Sequence, residues 1–196
     1  DYGISGVIPV PGLEKAREMK EKGYLVACER DGQLLDFADI GNSPSDFFKP
    51  ELKGKEIVFS TTNGTKAINM VAEDADEVLV GAFMNVNAIS DRLRQKQADV
   101  VILCASWKNL FNLEDTLFAG ALADVLLKSG YNTECDAAKA SVDLWHIAKH
   151  DLPGYLRKSS HRNRLTHLLT EEDYLLSLTT NTSAIVPVFR NGRLVA

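Results

Sequence analysis

The 196-residue chain has few cysteines, no long hydrophobic run and no excess of positive charge, and each absence removes a class of protein. Its three cysteines, Cys28, Cys104 and Cys135, are odd in number, widely spaced and never arranged as Cys-x-x-Cys. They support neither a disulfide framework nor a zinc knuckle, and point to thiols in a reducing cytoplasm. No apolar run is long enough to span a bilayer and no signal peptide is visible, so no membrane partner is expected. The formal net charge is −5 and no basic stripe carries interleaved aromatics, which argues against a nucleic-acid partner. No internal repeat, low-complexity tract or linker breaks the chain. With 45% hydrophobic and 25% charged residues it reads as one globular domain over residues 1–196.

Several catalytic signatures are absent too. A cysteine phosphatase needs arginine six positions after its nucleophile, but Leu110 stands there relative to Cys104. An aspartyl-phosphate enzyme needs Asp-x-Asp after a strand, whereas Asp74-Ala75-Asp76 precedes one. There is no Arg-His-Gly and no Gly-x-Ser-x-Gly. His146 and His150 have the helical spacing of metal ligands. Ile147 occupies the place of a zincin glutamate, however, and no third ligand is evident, so they read as a solvated helix face.

What is present is an alternation of strands and helices. Val7–Val10 and Tyr24–Cys28 read as strands on either side of a helix that starts at Pro11 and stops at Gly23. Further strands are expected at 56–60, 77–81 and 99–104, the last being the clearest apolar run. Helices are expected after Gly64, after Asn85, at 113–128, after Asp136, after Ser159 and after Thr170. Asn191-Gly192 between apolar flanks predicts a C-terminal hairpin. The pattern is that of an α/β protein: a three-layer α/β/α sandwich around a mostly parallel sheet with a C-terminal hairpin.

In such sheets ligands bind beyond the carboxyl ends of the strands. The polar loops fall there, from Glu29 onward, at 60–65, at 82–85 and at 104–115. The most informative is Glu56-Ile57-Val58-Phe59-Ser60-Thr61-Thr62-Asn63-Gly64-Thr65-Lys66, an apolar β-branched run ending in a small polar loop. Strand, tight loop and helix form a phosphate-binding geometry, because unpaired N–H groups and the helix dipole face the ligand. Thr61, Thr62 and Thr65 offer hydroxyls, and Gly64 allows positive φ or close approach. Glu114-Asp115 opens the strong helix. It reads either as a complement to the dipole or as a Mg²⁺ site that bridges to substrate phosphate. Lys158, His161, Arg162 and Arg164 form a basic cluster beside Ser159-Ser160, suited to a solvated helix end or to an anionic substrate.

Together these segments resemble one family, the 2-phosphosulfolactate phosphatases of the ComB type. The matching stretches are Val7–Val10, Cys28-Glu29-Arg30-Asp31-Gly32, Gly41-Asn42-Ser43-Pro44, Ser60–Thr65, Gly81–Asn85 and Leu113-Glu114-Asp115-Thr116-Leu117-Phe118-Ala119-Gly120. They occur in the family's order. The resemblance implies a Mg²⁺-dependent hydrolase that removes phosphate from a small sulfonated hydroxy acid on the route to coenzyme M. It implies that Thr61, Thr62, Asn63, Gly64 and Thr65 hold the phosphate, that Glu114 and Asp115 hold the metal, and that these two act with Glu29 in catalysis. Substrate contacts are implied from Arg30, Asn42, Ser43, Asn85, Ser106, Ser160, His161 and Arg162.

The family begins with an additional strand and an Asp-Val-Leu-Arg-Ala-Thr-like motif, and by this resemblance the chain starts after it. Ser106 and Trp107 also replace the family's glycine region after Cys104-Ala105, and Arg162-Asn163-Arg164 departs from its Ser-x-His-Gly-Arg pattern. The expected partner is a small phosphorylated anion, with a homo-oligomer left open. The alternative expectation is a non-catalytic module that binds such an anion.

Overall fold

Ile57 and Val58 are both fully buried although neighbouring residues on a strand point to opposite faces, so the sheet at this point is covered on both sides. The computed structural model that shows this describes residues 2–30, 33–61, 63–165 and 169–196. Internal contacts divide the chain into two compact units, Asp1–Val80 with Pro187–Ala196, and Gly81–Val186.

The first unit carries the sheet. Its strands are β1 (Gly6–Pro9), β2 (Leu25–Arg30), β3 (Gln33–Leu34), β4 (Glu56–Ser60), β5 (Val78–Leu79), β6 (Val188–Arg190) and β7 (Arg193–Val195). They run in the order β3-β2-β4-β1-β7-β6-β5, with β3 adding only a two-residue ribbon to the end of β2. β2, β4 and β1 are parallel, in the register Val26–Val58 and Ile8–Val58. The remaining pairings are antiparallel, so the sheet is mixed, parallel at its centre and antiparallel through the C-terminal hairpin. In that hairpin Asn191 and Gly192 both take positive φ, the two-residue turn whose twist suits paired strands.

Helices α1 (Gly12–Glu21) and α2 (Gly64–Val71) belong to this unit. Val26, Cys28, Val58 and Val10 pack with Ala16 of α1 on one face. Ala27 and Ile57 pack with Ile40 and Leu52 on the other. Burying each such Val or Ile contributes about 1.5–3 kcal/mol. Gly23 ends α1 as expected. At φ +88° its N–H reaches Lys20 O at 2.9 Å, and the Tyr24 N–H reaches Met19 O at 3.2 Å, a Schellman closure.

The second unit is helical: α3 (Val86–Lys96), α4 (Leu113–Lys128), α5 (Asp136–Ala148), α6 (Leu152–Leu156), α7 (Ser160–Leu165) and α8 (Glu171–Leu178). The chain is therefore α/β. α4 is buried nearly all round, since Leu117, Ala119, Gly120, Ala121, Leu122, Ala123 and Leu126 all lie inside, more than the single stripe its spacing predicts. Its bounds are those expected. Asn112 caps it, Oδ1 accepting the N–H groups of Glu114 at 2.9 Å and Asp115 at 3.3 Å. Thr170 caps α8 by accepting the Asp173 N–H at 3.0 Å.

Two expectations are corrected. Asp136 does not cap α5, because it is the first helical residue and Cys135 holds the cap position. The run 99–104 forms no strand ladder among the described residues. It still alternates, with Val101 90% and Leu103 44% exposed between better-buried neighbours, so its apolar pattern lacks the pairing that defines a strand. No disulfide joins the cysteines: Cys28 is buried, Cys104 half-buried and Cys135 exposed. Among the described residues no helix is long and apolar enough to cross a membrane.

Candidate active site

In the first unit, β4 ends at Ser60 and α2 begins at Gly64, the strand–loop–helix geometry expected there. The loop is closed on itself. Thr65 Oγ1 donates to Thr61 O at 2.9 Å, and Thr61 Oγ1 accepts the Thr65 N–H at 3.4 Å. Ser60 Oγ ties the loop to the start of α1 by donating to Gly12 O at 3.1 Å. Thr65 is buried, so its hydroxyl shapes the loop from within. Gly64 does not use positive φ. Instead a Cβ there would lie 3.3 Å from Thr61 Oγ1, so the glycine makes room for that hydroxyl. Asn63 occupies the cap position of α2 without a side-chain cap bond, and Thr62 lies outside the described residues.

A cleft of about 410 Å³ opens beside this loop, lined by Pro11, Gly12, Thr61, Thr65, Lys66, Asn69 and Met70. Its size is that of a small-molecule site. Lys66 and the start of α1 were not among the expected contacts. Lys66 follows the Asn-Gly-Thr motif directly, and a lysine after a glycine loop was the available signal.

Elsewhere in this unit Glu29, Asn42 and Asp46 come together. Burial lifts the Glu29 carboxyl above its usual range. The hydrogen-bonded Asn42 side chain opposes that rise and the charge of Asp46 adds to it. Gly41 permits the arrangement, for a Cβ there would meet Asp46 Oδ2 at 2.6 Å. Ser43 caps the short 3₁₀ turn at Pro44–Phe47, its carbonyl accepting the Asp46 N–H at 3.0 Å. The Arg30 side chain and residues 31–32 lie outside the described residues.

In the second unit, the acidic pair at the start of α4 divides its attention, because successive helical residues project about 100° apart. Asp115 Oδ2 accepts the Ser106 N–H at 2.6 Å. Burial, then the neighbouring Asp115 charge, push the Glu114 carboxyl up to about 7. Burial, then Asp115, also lift the Cys104 thiol, which fits the absence of a cysteine-phosphatase motif. Among the described residues no group of three or more His, Cys, Asp and Glu side chains converges as a metal cage.

The basic cluster separates into two roles. Arg162 is only 12% exposed, lies 4.3 Å over the Tyr174 ring and pairs with Glu171 at 2.9 Å, so its guanidinium is committed within the protein. Ser159 Oγ accepts the Arg162 N–H at 3.1 Å, and Ser160 is exposed. His161 is partly buried. Burial, then Arg164, hold its pKa below the usual value, while Asp115 works in the other direction. Asn85 is buried, with Oδ1 accepting the Ala82 N–H at 2.9 Å and Nδ2 donating to Ile185 O at 3.0 Å, which ties two loops together. His146 lies on the exposed face expected of it, and there its Nε2 is 2.9 Å from Asp124 Oδ1, which bridges α5 to α4.

A partly buried carboxylate raised by its surroundings, as Glu114 is, is a feature of functional sites, and a glycine-containing loop at a helix start suits an anion. Comparison with known proteins places the chain among phosphoric monoester hydrolases. It belongs to the 2-phosphosulfolactate phosphatase family, whose sequence profile matches residues 1–192. A protein of Caldanaerobacter subterraneus subsp. tengcongensis is 35% identical, over 97% of this chain and 80% of its own length. One of Thermotoga petrophila is 34% identical, over 97% and 81%. One of Symbiobacterium thermophilum is 32% identical, over 98% and 84%. All three carry the name "probable 2-phosphosulfolactate phosphatase".

Proposed function

We propose that the protein is a Mg²⁺-dependent cytoplasmic phosphatase that hydrolyses 2-phosphosulfolactate, or a closely related small phosphorylated acid, to the hydroxy acid and phosphate. The observation that carries this reading is the match along nearly the whole chain to relatives bearing that name. The local chemistry supports it. The N–H groups at the start of α2, where Asn63 and Gly64 stand, suit a phosphate, and Thr61 and Lys66 line the cleft beside them. Thr65 holds the loop's shape by its bond to Thr61 O.

In the second unit, Glu114 and Asp115 would hold Mg²⁺, whose chemistry is to offset negative charge and orient a water. The donor set fits such an ion: one or two carboxylates suffice, and a divalent cation would offset both the burial and the Asp115 charge that raise Glu114. The Ser106 N–H fixes one Asp115 oxygen and so its orientation. Glu29, whose proton is held more tightly than usual, is a candidate for proton transfer in the first unit. His161 suits an anionic group of the substrate.

The test is phosphate release from 2-phosphosulfolactate with Mg²⁺ and with a chelator, beside calorimetry. Turnover lost in chelator and in Asp115→Asn supports the reading. Mg²⁺-dependent turnover unchanged in Asp115→Asn removes the metal assignment. Binding without turnover establishes a non-catalytic module instead.

A further inference from the structure

Arg164 Nη2 lies 3.2 Å from His161 Nδ1, one helical turn away on α7. A guanidinium carries only donors and stays protonated, so Nδ1 must be the acceptor in this contact. The imidazole's proton then sits on Nε2. The guanidinium is itself held: its central carbon lies 3.7 Å from the centre of the Trp107 ring, and Lys108 Nζ lies 4.4 Å from the same centre. The Trp107 loop has the backbone of a presented side chain. Ser106, Lys108 and Asn109 all take positive φ, and the Leu110 N–H closes onto Trp107 O at 3.0 Å. Its first residue is anchored to Asp115. A continuous set of contacts therefore runs from the acidic start of α4 through the indole and guanidinium to one nitrogen of one histidine.

We propose that Arg164, held on Trp107, is a positioning residue that fixes His161 as a neutral imidazole with its proton on Nε2, so that Nε2–H serves as a hydrogen-bond donor to an anionic oxygen of the substrate. The substrate half of this statement rests on the function proposed above, whereas the Arg164–His161 half does not. Neither Trp107 nor Arg164 touches substrate in this scheme. They set which face of the imidazole donates. The charges that bear on the ring are Arg164 from α7, which opposes protonation, and Asp115 from α4, which favours it. Arg162, between them in sequence, is directed to Tyr174 and Glu171 instead.

The test is an imidazole nitrogen NMR titration on the full chain, with His161 assigned through His161→Gln and inorganic phosphate as the probe ligand. The expected spectrum of the unaltered chain at pH 7 has Nε2 protonated and Nδ1 bare, with the Nε2 resonance moving when phosphate is added. In Arg164→Met the protonation midpoint of His161 should move upward, and Trp107→Ala should move it the same way. Trp107→Phe should preserve the unaltered value, because the stacking face is kept. With 2-phosphosulfolactate, Arg164→Met should lose about tenfold in kcat/KM, chiefly through KM, as for one charge-assisted contact of about 1.4 kcal/mol. A His161 protonated on Nδ1 in the unaltered chain overturns the proposal. So does a midpoint unmoved in both Arg164→Met and Trp107→Ala, or an Nε2 resonance indifferent to phosphate. If the unaltered chain releases no phosphate, the proposed function fails, while the nitrogen spectrum still decides the role of Arg164.

Discussion

The Ser106 backbone N–H donates to Asp115 Oδ2 across 2.6 Å while Ser106 itself sits at φ +59°. A side chain in the left-handed region costs about 1–2 kcal/mol, and glycine avoids that cost. The contact uses only the backbone, so Ser106→Gly keeps it. Ser106→Gly is expected to leave stability unchanged or raise it by up to about 1 kcal/mol, because glycine's larger unfolded-state entropy offsets part of the relief. Ser106→Val, β-branched at the same φ, should lose about 1–3 kcal/mol. Urea unfolding midpoints of the two variants and the parent check this; a Ser106→Gly variant clearly less stable than the parent would show that the serine side chain matters more than the backbone.

Glu114 gives stability a pH dependence of definite sign. Burial, then the Asp115 charge, raise its carboxyl from the ordinary 4.5 to about 7 in the folded protein, so the folded state holds the proton more tightly. Its favourable contribution is fully present below about pH 4.5, declines as pH rises, and is lost above about pH 7. Glu114→Gln, which never ionises, should match the parent near pH 4 and exceed it at pH 8 by no more than about 3 kcal/mol. Thermal unfolding at the two pH values measures the difference. Saturating Mg²⁺ should narrow it at pH 8, because a cation between Glu114 and Asp115 removes the same repulsion.

How far the sequence anticipates these features depends on whether the cause is local. The hairpin at Asn191-Gly192, the helix start after Thr170 and the glycine stop at Gly23 all rest on a few adjacent residues, and all appear. So does the strand–loop–helix at Ser60–Gly64, whose β-branched run and glycine are consecutive. The run 99–104 has the strongest local strand pattern and forms no ladder, because pairing depends on a neighbour that its own residues do not specify. The basic cluster was visible as a group. Which arginine turns inward depended on Tyr174 and Glu171, residues of another helix, and spacing could not assign that role to Arg162 rather than Arg164.

At Gly120 the helix α4 lies directly against the backbone of α5. A Cβ there would lie 2.0 Å from Ser141 O and 2.9 Å from Trp145 Cβ, and the first neighbour is backbone that cannot rotate away. Helix propensity alone predicts that Gly120→Ala stabilises by about 1 kcal/mol. The contact predicts the opposite sign, a loss of about 1–3 kcal/mol as the helices are forced apart. Denaturant unfolding decides between them, and a more stable Gly120→Ala variant would mean that α4 and α5 can separate there at little cost.

The last prediction concerns the residues at 99–104, where apolar side chains alternate between partly buried and exposed without a ladder. In β4 the backbone of Ile57 and Val58 is paired to β1 on one side and β2 on the other, and both side chains are fully buried. Opening those amides requires breaking the sheet, so they should exchange only through large-scale unfolding. Val101, 90% exposed and outside any ladder among the described residues, has no such requirement. Amide hydrogen exchange by mass spectrometry should therefore show the peptide spanning 100–103 exchanging at least about a hundredfold faster than the one spanning 57–59. The ratio follows from pairing rather than from composition, since both peptides are apolar and rich in β-branched residues. Equal protection of the two would mean that 99–104 is hydrogen-bonded as a strand in solution and that its strong sequence pattern is realised after all.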